Sequence, residues 1–142
     1  MADQKTMKEI EQDKVTRIME TVNERAGYYR ENPQRFVKEY LGINLRVFQQ
    51  ILIYAMMHYY FFMFIAARGL GKTFLVALFC CVRCILYPGT KIVVTAGTLK
   101  QATESLLKIQ DELMPMSPLL CKEIKKVSIG QNDASIYFEN NS

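Results

Sequence analysis

Lys72 and Thr73 follow Gly69 and Gly71 and, read from Ala66, complete A-x-x-x-x-G-K-T, a phosphate-binding loop with alanine in the first glycine position. Each residue type has a chemical reason. Gly69 and Gly71 tolerate positive φ, so successive backbone N–H groups can converge on one anion. A helix opening near Lys72 turns its positive end toward the same point. In that arrangement Lys72 would reach the β- and γ-phosphates, and the Thr73 hydroxyl would join a Mg²⁺ shell. The competing reading is a glycine-rich strand-to-helix turn that binds nothing.

A second candidate lies upstream. A glutamine placed just before the first strand can read the N6 and N7 edge of adenine. Gln49 is in that position, with Phe48 as an apolar wall for the base. The alternative is that Gln49 and Gln50 form the solvated side of a helix, and the residues alone favour that alternative.

The flanking elements must hold these groups in place. Residues Tyr59–Phe64 are a β-favouring run leading into the loop, and Thr73–Tyr87 is an apolar helical pattern leading out, ended by Pro88-Gly89. Lys91–Thr95 reads as a second buried strand. Thr98 and Gln101 then form a capping-box pattern for a helix to about Leu113, with breaks at Pro115 and Pro118. Strand, helix, strand, helix makes a βαβ crossover, so the expected fold is α/β with a parallel sheet core and flanking helices. The segments Glu123–Ile129 and Ala134–Glu139 predict a C-terminal β-hairpin.

The N-terminal part is a helical lead-in. Residues 1–31 form a charged amphipathic unit with Val15, Ile18, Met19 and Val22 at helical spacing, suited to packing on the domain or on a partner. Residues 32–142 form the phosphate-loop domain. Within it, Arg35–Leu41 is a short helix closed by Gly42.

Composition sets outer bounds. Half of the 142 residues are hydrophobic and 23% are charged, a globular balance for one modest core. Residues 1–31 carry 6 Lys/Arg against 7 Asp/Glu, and the remainder carries 12 against 7. The basic excess suits a polyanion without establishing one. Cys80, Cys81 and Cys84 crowd one apolar helix, which favours buried reduced thiols and a reducing cytoplasm over a disulfide framework or a metal pair. Residues 48–67 contain no Asp, Glu, Lys or Arg. Gln49, Gln50 and His58 argue against a membrane span there and for a buried helix turning into a buried strand.

The order of these features is similar to a known family. Asn32-Pro33, Phe36 and Tyr40-Leu41 precede Val47-Phe48-Gln49. The loop Ala66–Thr73 contains Arg68, Lys91–Ala102 follows, and Ser135–Ser142 closes the series. Together they resemble the first part of the ATPase domain of phage large terminase subunits, which pump DNA into capsids. The resemblance implies ATP and Mg²⁺ as ligands, raises Gln49 as the adenine reader, and gives Arg68 the role of an arginine finger in cis at the γ-phosphate. It also implies double-stranded DNA, a portal and a small terminase subunit as partners, a homo-oligomer, and the host cytoplasm.

One departure matters. No apolar strand after Thr73 ends in Asp-Glu: Asp111-Glu112 sits on a helical pattern and Asp133 in a turn. The expectation is therefore ATP binding without efficient hydrolysis. A non-catalytic nucleotide-binding or interaction module is the main rival. A small membrane-associated protein and a metabolic phosphate-loop kinase are the others.

Overall fold

The computed structural model describes residues 7–67, 69–130 and 133–142, with side chains from residue 11 onward. Helix α1 spans Met7–Glu31, α2 Pro33–Glu39, α3 Val47–His58 and α4 Lys72–Leu86. Helix α5, Leu99–Lys108, runs into a π turn at Ile109–Leu113 and then α6, Met114–Met116. Helix α7, Pro118–Glu123, leads directly into strand β1, Ile124–Ile129, and β2 follows at Ala134–Phe138. The chain is thus mixed helix and strand, and mostly helical.

Helix α4 is the centre. Its sequence is apolar nearly all round, so it is stable only where neighbours surround it. Leu75, Ala77, Leu78, Cys81, Val82, Cys84 and Leu86 are buried on it. All but Leu75 share one core with Phe36 and Val37 of α2, Ile53 and Met57 of α3, Leu113, Leu120 and Phe138. Each such large apolar side chain contributes about 1.5–3 kcal/mol on burial. The expected helix at 73–87 is therefore found within one residue.

Helix boundaries follow local chemistry. Pro33 opens α2 in the first turn, where its missing N–H is not needed. The chain leaves α2 through Gly42 at φ +72°, a left-handed geometry that suits glycine. The Thr98 hydroxyl accepts from Gln101 N–H (3.3 Å) and caps α5 as predicted. Pro115, by contrast, does not stop the helix. The π turn just before it closes from Met114 N–H to the Ile109 carbonyl, and Pro115 then sits in the first turn of α6, where no donor is required. The break comes at Ser117, whose buried hydroxyl caps α7.

The hairpin is also found as expected. Strands β1 and β2 pair antiparallel, Val127 opposite Ile136, with an irregularity between Ile124 and Lys126.

Four expectations need correction. The predicted strands Tyr59–Phe64 and Lys91–Thr95 form no ladder, and among the described residues the only sheet is the two-stranded β1–β2 pair. A strand persists by hydrogen bonds to a neighbour, and no described segment supplies one to either stretch. Residues Tyr59–Phe64, expected to be a buried strand, are instead mostly exposed. Cys80 is half-buried, while Cys81 and Cys84 are buried; all three thiols are free. The lead-in helix α1 is present, but residues 11–25 are exposed throughout, including Val15, Ile18, Met19 and Val22. No helix among the described residues is long and apolar enough to cross a membrane.

Candidate functional site

The loop before α4 has the geometry its glycines imply. Gly69 lies at φ +83° and Gly71 at φ +73°, both left-handed. Gly71 is the N-cap of the 15-residue α4, and no side chain caps that end. First-turn N–H groups of a helix have no partner inside it, so this end offers donors and a positive dipole to an anion.

Lys72 folds back over the loop. Its ammonium donates to the Ala66 carbonyl and to the Ala67 carbonyl (3.0 Å). The cation is therefore held at the mouth of the turn. Ala66 contributes a carbonyl and not a side-chain function. Arg68, the expected arginine finger, lies outside the described residues.

Gln49 is brought to the same place. Its side-chain oxygen accepts from Arg46 N–H (3.0 Å) and so caps the start of α3. Its amide nitrogen would lie 3.6 Å from a Cβ added at Gly71. One side chain thus caps the first turn of α3 and lies beside the loop at Gly71. Phe48 beside it is partly exposed. Gln50 does something different: its amide donates to the Leu45 carbonyl (2.9 Å). The two glutamines are not an equivalent solvated pair.

Thr73 opens onto a cleft of about 170 Å³ lined also by Glu104, Leu107, Lys108, Asp111 and Glu112. Lys108 pairs with Glu112 one turn on. Reading Asp111-Glu112 as an ordinary helical pair missed this placement. The signal was present in the α5 periodicity, but the crossing of α4 and α5 that brings it to Thr73 is tertiary. Hydroxyl and carboxylate oxygens are hard donors of the kind Mg²⁺ prefers, and that ion commonly takes one or two carboxylates plus substrate phosphates and water. Among the described residues no three His, Cys, Asp or Glu side chains converge as a metal site. Any Mg²⁺ here would thus depend on oxygens that arrive with a triphosphate.

The remaining candidates are structural. Burial pushes the Cys80 thiol up to about 12 and the Cys84 thiol to about 11, and raises Cys81 as well. Thiols so far from thiolate are poor nucleophiles and poor ligands. His58 bonds to the Tyr54 carbonyl (2.8 Å) and stacks on the Tyr54 ring, clear of the cysteines.

The far end of α4 carries residues whose role the sequence did not reveal. Arg30 donates to the Leu86 carbonyl (2.8 Å), and Asn140 to the carbonyls of Cys84 (2.8 Å) and Ile85 (3.2 Å). Ser142 adds a bond to Cys84 (3.2 Å). Arg30 and Arg83 also sit over the Tyr87 ring. These bonds fix α4 from behind and so fix where its first turn points. A larger groove, about 480 Å³, lies between β2 and Thr90–Val94 and is lined by none of the loop residues.

No family model, no curated protein and no solved structure matches this chain.

Proposed function

We propose that the chain is the nucleotide-binding part of an ATP-driven DNA-packaging motor of the large-terminase type. On this reading the loop Ala66–Thr73 holds the triphosphate of ATP. Gln49 reads adenine, Lys72 and the first-turn amides of α4 bind phosphate oxygens, and Thr73 faces Mg²⁺. Double-stranded DNA, a portal and a small terminase subunit are the partners that go with this assignment.

One observation carries it. Gly69, Gly71 and Lys72 stand together by sequence at the open end of α4, and the Gln49 amide comes from α3 to lie beside Gly71. A bare glycine-rich turn gives no reason for a glutamine amide beside Gly71.

A second reading has its own support. Asp111 and Glu112 lie on a helix and its π turn, not at the end of a paired strand. A carboxylate so placed is not the strand-end aspartate and following glutamate that this reading needs to hold Mg²⁺ and orient the attacking water. The chain would then bind ATP and turn it over slowly or not at all.

Displacement of a fluorescent ATP analogue tests the first reading. ATP should compete better than GTP by about fivefold, on the order of 1 kcal/mol for one hydrogen-bonded base edge. Gln49→Ala should remove that preference; equal competition by both nucleotides before mutation sinks the role of Gln49. Single-turnover hydrolysis with Mg·ATP separates the readings. A Lys72-dependent rate near or above about 1 s⁻¹, the low end of common enzyme turnover, would reject the non-catalytic one.

A further inference from the structure

The groove between β2 and Thr90–Val94 has the features of an unfilled strand position. Its first wall is the free edge of β2. Glu139 N–H donates to Glu123 next to β1 (2.9 Å), whereas Phe138 N–H donates the other way, to the Ser142 carbonyl (3.0 Å). Peptide groups alternate sides along a strand. Those of Ala134 and Ile136 therefore face away from β1, as that of Phe138 does, and into the groove.

The opposite wall is Thr90–Val94. Exposure alternates along it, Lys91 and Val93 outward, Ile92 and Val94 inward, which is the period of extended chain. The floor is apolar, with Cys80 and Cys84 of α4 and Leu106 and Ile109 near α5. The lining includes Lys91 and no carboxylate. Free backbone donors and acceptors beside an apolar floor are what an added β-strand recognises.

The same chain carries a segment with the matching properties. Tyr59–Ile65 has no charge, no glycine and no proline, and is rich in β-favouring residues. It joins no ladder. Tyr60, Phe61, Met63 and Ile65 are 100%, 97%, 87% and 95% exposed, close to the limit for side chains of this size. Seven residues of extended chain span about 23 Å, enough to run the length of the five-residue β2.

We propose that Tyr59–Ile65 of one copy enters the groove beside β2 of a second copy as an added antiparallel strand, so that the chain associates with itself through a donor strand and an acceptor edge. The two surfaces differ, so the contact is heterologous, and each new copy offers another free donor or acceptor. Association does not depend on the triphosphate reading, and Lys72→Ala should leave it unchanged.

The test uses a donor-blocked and an acceptor-blocked chain. Phe61→Lys with Met63→Lys places charges on two fully exposed donor positions. Ala134→Pro with Val94→Lys removes a groove-facing N–H at the first residue of β2, where proline is tolerated, and charges an inward-facing position of the opposite wall. Light scattering at about 100 μM, within the range where unpaired edges associate, should give the unmutated chain at least twice the 16.5 kDa monomer mass. Each blocked chain alone should be monomeric, and their equimolar mixture should stop at dimers. Three results overturn the proposal: a monomeric unmutated chain, a blocked chain that still assembles, or a mixture that stays monomeric. Assembly of the acceptor-blocked chain would point to donor strands stacking on one another. Hydrogen exchange on the unmutated chain gives an independent check. Amides of Ala134, Ile136 and residues 59–65 should gain at least tenfold protection with rising concentration, and unchanged protection also rejects the idea.

Discussion

The two ends of α4 are built in opposite ways. At the C-terminal end Arg30, Asn140 and Ser142 reach across more than 50 residues of sequence to occupy the carbonyls of Cys84, Ile85 and Leu86. At the N-terminal end a left-handed glycine stands at the cap, no side chain caps it, and the Lys72 ammonium is held on loop carbonyls. A helix wanted only for stability would be capped at both ends, at about 1 kcal/mol for a good N-cap. The C-terminal end is thus committed to the fold by side chains, and the N-terminal end keeps its first-turn donors uncapped.

The largest effect should come from Lys72→Ala. Loss of a charge-assisted contact to phosphate should weaken ATP binding about 100-fold, near 3 kcal/mol, while the unfolding midpoint stays nearly unchanged. A calorimetric titration showing wild-type affinity would mean that this end of α4 is not a phosphate site. Asn140→Ala should do the reverse. Freeing the Cys84 and Ile85 carbonyls should cost about 2 kcal/mol of stability in urea unfolding, with ATP affinity unaltered once the chain is folded. If it weakens ATP binding and leaves stability alone, the contrast between the two ends is wrong.

A smaller effect tests whether the support of the core away from both ends is separate from them. Tyr40 donates to Glu123, joining the end of α2 to α7. Burial, then the bond and charge of Glu123, push the phenol up to about 12 from its ordinary 10.0. The raised value means the folded state favours the neutral phenol. Its contribution is complete below pH 10 and is lost as pH rises through about 12. Tyr40→Phe should cost about 1 kcal/mol at neutral pH, and the gap from the unmutated chain should close across that alkaline window. A gap that is flat with pH would remove the Tyr40–Glu123 bond from the account.

How much was legible in the sequence differs from element to element. The loop, α4, the α5 cap and the hairpin were readable because each rests on local chemistry: glycine dihedrals, 3.6-residue periodicity, a threonine hydroxyl three residues before a free N–H, and turn residues between alternating strands. Tyr59–Phe64 and Lys91–Thr95 have equally strong local preference and still form no strands, because a ladder depends on a neighbour and not on propensity. Pro115 failed as a helix stop for a related reason: a π turn upstream changed the position it occupies. For Gln49 the residues alone favoured the solvated side of a helix; its approach to Gly71 comes from the packing of α3 on α4 and is not readable from spacing.

The amino-acid order therefore determined the chemistry that can occur at Ala66–Thr73, since φ > 0 at glycine, a helix end and an ammonium are all set within eight residues. Tertiary packing decided which distant groups join it. Gln49 arrives because α3 packs on α4, Asp111 and Glu112 because α5 passes Thr73, and Arg30, Asn140 and Ser142 because the last turn of α1 and the segment after β2 converge on the opposite end of α4. These meetings follow from burial of apolar faces shared by the whole chain. That force is non-directional and proportional to area, so no short window of sequence encodes where it brings two residues together.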